Sequence, residues 1–249
     1  MGLIFKNKKG VIFTTLVILL LFLFLFSVTF YSVKKERKSI RDRVETMHNF
    51  VFSLEEDLSR QLYISGYRAL LAMETYITDK GTFISSAENV TKEALLNGSI
   101  NSVNISIMEG YKLEDWRSRT ISLGDKVNAI VNYTLINLTV KQIDPWYINI
   151  EMIINLTIKD KGNVAKWEKI KKIKTQIEIE GFEDPTYLIN TNGLITNKIK
   201  KTTYKTFVNG SDITNLSLQT NNSYYIGAPS GPSFLDRLEG KTQANTYGI

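Results

Sequence analysis

A chain of 249 residues with 43% hydrophobic and 22% charged side chains has the composition of a folded protein, not a disordered one. The absence of cysteine excludes a disulfide framework, a thiolate metal site and a cysteine nucleophile. The net charge of +6 is spread over several segments and marks no basic tail.

In chain order, Lys6-Asn7-Lys8-Lys9-Gly10 leads into an apolar run from Val11 to Val33. Its small polar side chains are the hydroxyls Thr14, Thr15, Ser27, Thr29 and Ser32, and no residue in it is charged. As a helix the run rises about 35 Å at roughly 1.5 Å per residue, enough to cross a hydrocarbon core of about 30 Å. A secretory h-region is shorter, roughly 7–15 residues, and is followed by a small-x-small cleavage site. Ser27-Val28-Thr29 imitates that site poorly. A retained membrane helix over 11–33 is therefore expected, with the lipid bilayer as its partner.

Residues 34–80 read as an amphipathic helical stalk. Apolar side chains recur at Ile40, Val44, Met47, Val51, Leu54, Leu58, Leu62, Ala69 and Met73, at spacings of three and four with charges between. Ser65-Gly66 is the expected bend and Asp79-Lys80-Gly81 the expected end. Glu55, Glu56 and Asp57 read as a solvated acidic face, and the single histidine, His48, has no spaced partners for a metal site or a triad.

Residues 81–249 make up an α+β domain. Ser86 is placed to cap a short helix over Ala87–Leu96, closed by Asn97-Gly98. Ile100 to Met108 alternates weakly, as a short strand would, and Trp116 is expected to pack from a short helix. The strongest pattern lies over 127–180. Ile148, Ile150, Met152, Ile154, Leu156 and Ile158 alternate with polar residues as in a half-buried strand. Before it, Val127–Ile143 alternates with a phase slip near Leu135-Ile136, the mark of a β-bulge. After it, Ile173, Thr175, Ile177 and Ile179 alternate with Lys172, Lys174, Gln176 and Glu178. These runs predict a three-stranded antiparallel meander, with the stalk as its covering layer. Asn190-Thr191-Asn192-Gly193 between Tyr187-Leu188-Ile189 and Leu194-Ile195 predicts a hairpin, and Ser233 is expected to cap a helical turn from Phe234. The predicted fold class is α+β: a long N-terminal transmembrane-plus-stalk helix packed on an antiparallel β-meander.

Asn-x-Ser/Thr occurs nine times, at Asn89, Asn97, Asn104, Asn132, Asn137, Asn155, Asn209, Asn215 and Asn221. Twenty asparagines and 41 serines plus threonines in this chain give roughly three by chance. The excess makes all nine N-glycosylation candidates and favours an exported domain. Flanking charge does not set orientation, because Lys34, Lys35, Arg37, Lys38, Arg41 and Arg43 follow the helix while Lys6, Lys8 and Lys9 precede it. No phosphate-binding glycine loop occurs, and no catalytic residue, cofactor or metal is expected. Lys166, Lys169, Lys171, Lys172 and Lys174, with Lys198, Lys200, Lys201, Lys205, Trp167 and Tyr204, suit a basic aromatic face. Strand alternation alone accounts for that face, so nucleic acid is not an expected partner.

The basic cluster ending in Gly10 directly before the apolar helix resembles the class III signal of prepilins. The resemblance implies a leader over 1–10 and a prepilin peptidase that cuts between Gly10 and Val11 on the cytoplasmic side. Helix followed by meander is also the order of elements in type IV pilins. The phrases Glu183-Asp184-Pro185-Thr186-Tyr187-Leu188-Ile189-Asn190-Thr191-Asn192-Gly193 and Phe234-Leu235-Asp236-Arg237-Leu238-Glu239-Gly240 resemble segments of archaeal pilin-like surface proteins. The fifth position after the cut, usually Glu in major pilins, is Thr15 here. The likeness thus implies a minor pilin, with other pilin-like subunits as partners through the N-terminal helix. The alternative is a stand-alone anchored extracellular receptor or adhesin that does not assemble.

Overall fold

The computed structural model describes residues 8–249. It is α+β, with a long apolar N-terminal helix, a three-stranded antiparallel sheet and a two-stranded one. The chain forms two compact units, divided between Phe50 and Val51. Helix α1, Lys8–Lys80, contributes to both.

In the first unit every described side chain from Ile12 to Arg41 is exposed. The strong helix formers and the absence of Pro and Gly across the apolar run let the helix continue without a break. Thr14 Oγ1 donates to Gly10 O at 3.0 Å, and Thr29 Oγ1 donates to Leu25 O at 2.7 Å. These hydroxyls are satisfied by their own helix and present no unmet donor to a hydrocarbon environment.

The second unit is built on the meander β3 (Ala129–Asp144), β4 (Tyr147–Asp160) and β5 (Lys166–Glu178), in that spatial order. Strand β4 is central, and Ile148, Ile150, Met152, Ile154, Leu156 and Ile158 are all buried. The expected bulge is present: Leu135 pairs with Ile154 and Asn137 with Ile153, so Ile136 is unpaired and 54% exposed. A second slip lies between Gln142 and Asp144, and Gln142 faces inward in phase with Leu138 and Val140. Its amide donates to Pro145 O at 3.0 Å and accepts from Leu235 N at 3.3 Å.

The last thirty residues of α1 lie against this sheet, with Leu58, Leu62, Ala69, Leu70, Met73 and Ile77 almost wholly buried. Helix α1 continues through Ser65-Gly66, and the missing side chain of Gly66 has a packing use. A Cβ placed there would come within 2.5 Å of Ile150 Cδ1 and 2.6 Å of Ile177 Cδ1. The glycine permits close approach of helix to sheet.

Helix α2 (Ala87–Asn97) is capped by Ser86, which accepts from Asn89 N, and ends on Gly98 in the left-handed region. The strand expected over Ile100–Met108 is a hairpin of two short strands, β1 (Ser99–Ile100) and β2 (Val103–Asn104). Asn101 and Ser102 at its tip both have positive φ, and the chain then tightens into a 3-10 turn, Ser106–Met108. Helix α3 (Leu113–Lys126) carries the buried Trp116 and packs on β3.

The hairpin expected around Asn190–Gly193 is a correction. Pro185–Asn190 is a helix, α4, with Asp184 accepting from Thr186 N as its cap and Pro185 in the first turn. Gly193, at φ +75°, closes it by donating to Leu188 O at 2.7 Å. Thus Asn192-Gly193 terminates a helix instead of joining two strands. Helix α5 (Thr214–Asn221) has no counterpart in the sequence expectations, whereas α6 (Phe234–Leu238) starts on Ser233 as expected.

Candidate functional site: the apolar helix and the sequon surface

Helix α1 is long and apolar enough to cross a membrane. Gly10 and Val11, the expected cleavage pair, lie in its first turns, so a peptidase would meet them on a helix end. Residues 1–7, most of the expected leader, lie outside the described residues.

The sequons are distributed over the second unit. Asn89, Asn97, Asn104, Asn132, Asn137, Asn209, Asn215 and Asn221 are exposed, and Asn155 is half-buried. The difference follows from position in the sheet. Asn132 and Asn137 stand on edge strand β3, whereas Asn155 lies on central β4 between Thr134 and Ile170. Two sequons face each other in register: Asn132 pairs with Thr157, and Thr134 with Asn155.

The lysine-rich strand is electrically occupied. Lys169 Nζ lies 2.8 Å from Glu55, which also pairs with Lys171, and Lys172 lies 2.7 Å from Glu151. Lys174 reaches the same Glu151 at 3.5 Å, and Lys166 binds Glu168 at 2.6 Å. Burial opposes the charge on Glu55, but hydrogen bonds from Lys169 and Lys171 outweigh it and hold the carboxyl below its ordinary value. Glu55 is therefore not the solvated helix face expected from its neighbours. Asp57 departs from that expectation too, accepting from Trp116 Nε1 at 3.1 Å and Arg60 Nε at 3.1 Å. Lys201 Nζ sits 5.1 Å from the Trp146 ring centroid, Lys198, Lys200 and Lys205 are exposed, and so is His48.

Two features were not legible in the sequence. The first is a buried ionic knot. Asp184, fully buried, accepts from Arg237 Nη1 at 2.7 Å and the Tyr225 hydroxyl at 2.7 Å, while Arg237 also donates to Ile249 O. Burial and the Asp184 charge push the Tyr225 hydroxyl well above its ordinary pKa. The second is an open cleft of about 670 Å³ between α3, the end of α2 and β3. Leu113 and Met152 line it, and Tyr133 forms one wall. Glu114 and Arg117 border it from α3, and Asn132 and Thr134 border it along the β3 edge. Among the described residues no group of three or more His, Asp or Glu side chains could hold a metal ion.

Comparison with protein-family models, curated proteins and solved structures gives no match.

Proposed function

We propose that this chain is a membrane-anchored, extracellular pilin-like subunit of an archaeal surface, in the manner of a minor pilin, with a structural and interaction role in a filament or assembly. One observation carries the proposal. A single unbroken helix, Lys8–Lys80, holds both a fully exposed apolar run and residues that enter the core of the second unit. An exposed run of Leu, Ile, Phe and Val is costly in water and is accommodated by lipid or by the apolar helices of other subunits. Lys-Lys-Gly directly before that run supports processing after Gly10, and the sequon excess supports an outer location for the glycoprotein domain.

The test is the N-terminus and intact mass of the protein from a host with a prepilin peptidase. A start at Val11, lost in Gly10→Leu, is the expected result. An intact start at Met1 overturns the pilin-like reading. A specific observation favours the second reading, a stand-alone anchored receptor or adhesin: the second unit carries an open cleft with mixed polar and apolar walls. That reading predicts a full-length start and no association of purified protein through the apolar helix.

A further inference from the structure

The cleft beside α3 has the chemistry of a carbohydrate site. At about 670 Å³ it is large enough for a short oligosaccharide and lies in the range of small-molecule sites. One wall is aromatic: the Tyr133 ring is fixed from behind by Trp116 at 5.2 Å between centroids. Its hydroxyl donates to Leu113 O at 2.9 Å, which holds the ring in place and leaves the hydroxyl engaged within the fold. A rigid ring beside Leu113 and Met152 offers a surface to the C–H face of a pyranose.

The polar atoms suit the hydroxyls of the same molecule. Glu114 and Arg117 form an ion pair at 3.2 Å on one turn of α3, with side chains 63% and 39% exposed. Planar carboxylate and guanidinium groups bind vicinal hydroxyls in pairs, the one accepting and the other donating. Arg117 uses only Nη1 on Glu114, and its Nε is closed from solvent without a hydrogen-bond partner, so the guanidinium is incompletely satisfied. Opposite runs the edge of β3, where Asn132 and Thr134 border the cleft with their side chains on the sheet face away from Tyr133. One carboxylate already paired to an arginine does not make a cation site, and one arginine already paired to a glutamate is weak for a phosphate. A purely apolar ligand would strand these polar groups.

Position adds a second argument. Asn97 lines this cleft and also an adjoining one of about 420 Å³, which Asn104 lines as well. Three sequon asparagines thus border the two cavities. We propose that the cleft beside α3 is a saccharide-binding site, in which a pyranose packs on Tyr133 and is hydrogen-bonded by Glu114 and Arg117. The sugar has two sources: a glycan carried by Asn97 or Asn132 of the chain itself, or a free or neighbouring saccharide. The first source rests on the extracellular reading above; the site itself does not.

The test uses the full-length chain in phosphatidylcholine nanodiscs, made in a host without N-glycosylation. N,N′-diacetylchitobiose, cellobiose and glucuronic acid are titrated by saturation-transfer NMR and calorimetry. At least one probe is expected to bind, and Glu114→Gln and Arg117→Met are expected to weaken it at least tenfold with an unchanged circular dichroism spectrum. Tyr133→Phe, which keeps the ring, is expected to retain binding within threefold, and Tyr133→Ala to lose it. Binding of none of the three probes, or binding indifferent to Glu114→Gln and Arg117→Met, overturns the proposal. Glycosylated protein then separates the sources. A tenfold loss of probe binding, restored by Asn97→Gln or Asn132→Gln, assigns the site to the attached glycan; equal binding assigns it to an external saccharide. Failure of the extracellular reading appears separately, as an unmodified mass in the native host.

Discussion

Gly66 of α1 and Ile150 of β4 stand so close that a single added methyl on the glycine would lie 2.5 Å from the Ile150 Cδ1 atom. Gly66→Ala is accordingly expected to destabilise the second unit by about 1–3 kcal/mol through overpacking, despite the better helix propensity of alanine. Thermal unfolding of the full chain in nanodiscs measures this. Ile150→Val in the same background should return part of the loss; a stabilised Gly66→Ala would show that the helix stands off the sheet.

Removal of Arg237 leaves the Asp184 carboxylate buried without its ion-pair partner. Breaking such a pair typically costs about 3–5 kcal/mol. Arg237→Met is therefore expected to lower the melting temperature sharply. Asp184→Asn with Arg237→Met together should cost less than the sum of the single changes, because the two groups interact directly. Additive losses would mean that the pair is not coupled.

Glu74 on α1 is 8% exposed, faces Glu183 and Lys198, and has one carboxylate oxygen without a partner. Burial raises its pKa to about 8, with the neighbouring Glu183 charge adding to the effect. The folded state thus holds a proton that the unfolded chain releases near an ordinary glutamate value, about 4.3. Its contribution to stability is complete below that value and falls as pH rises toward 8. Denaturation midpoints from pH 4 to 9 should show this decline, and Glu74→Gln should flatten it. An unchanged slope in Glu74→Gln would place the titration elsewhere.

Among the sequons, Asn155 is expected to carry the lowest glycan occupancy in the native host. It is half-buried on the central strand, and its neighbour Thr134 belongs to the opposing Asn132 sequon. Asn132 and Asn155 are diagonal neighbours on one face of the sheet, about 7–8 Å apart, too close for two glycans to leave it without crowding. Glycopeptide mass spectrometry should find Asn132 and Asn155 rarely modified on one molecule. Full occupancy at both would contradict the register.

The features that the chain announces are those whose periodicity is local. Alternation from Ile148 to Ile158 placed the central strand, and one phase slip at Leu135-Ile136 located the bulge to the residue. The packing use of Gly66 is hidden in the sequence, because a glycine in a helix looks the same whether it bends the chain or admits Ile150. Asn192-Gly193 was misread as a hairpin turn because the deciding residues are Asp184 and Pro185, which start a helix several positions earlier. Helix α5 was missed because Thr214–Asn221 has low intrinsic helix propensity and only Gln219 is buried. The cleft and the Asp184–Arg237 pair draw on residues far apart in the chain, and no short-range pattern announces such partners.

The Asp184 carboxylate has a topological consequence. It holds Tyr225 directly and binds Arg237, and its own N–H donates to Asn197 O at 2.8 Å, so chain on either side of 203–222 converges on one buried oxygen pair. Nearly all of that intervening segment is solvent-exposed. A protease cut near Val208 would therefore sever the covalent chain but not the assembly. The nicked protein should migrate as a single species in native solution, fall into two fragments in detergent denaturant, and keep its unfolding cooperative.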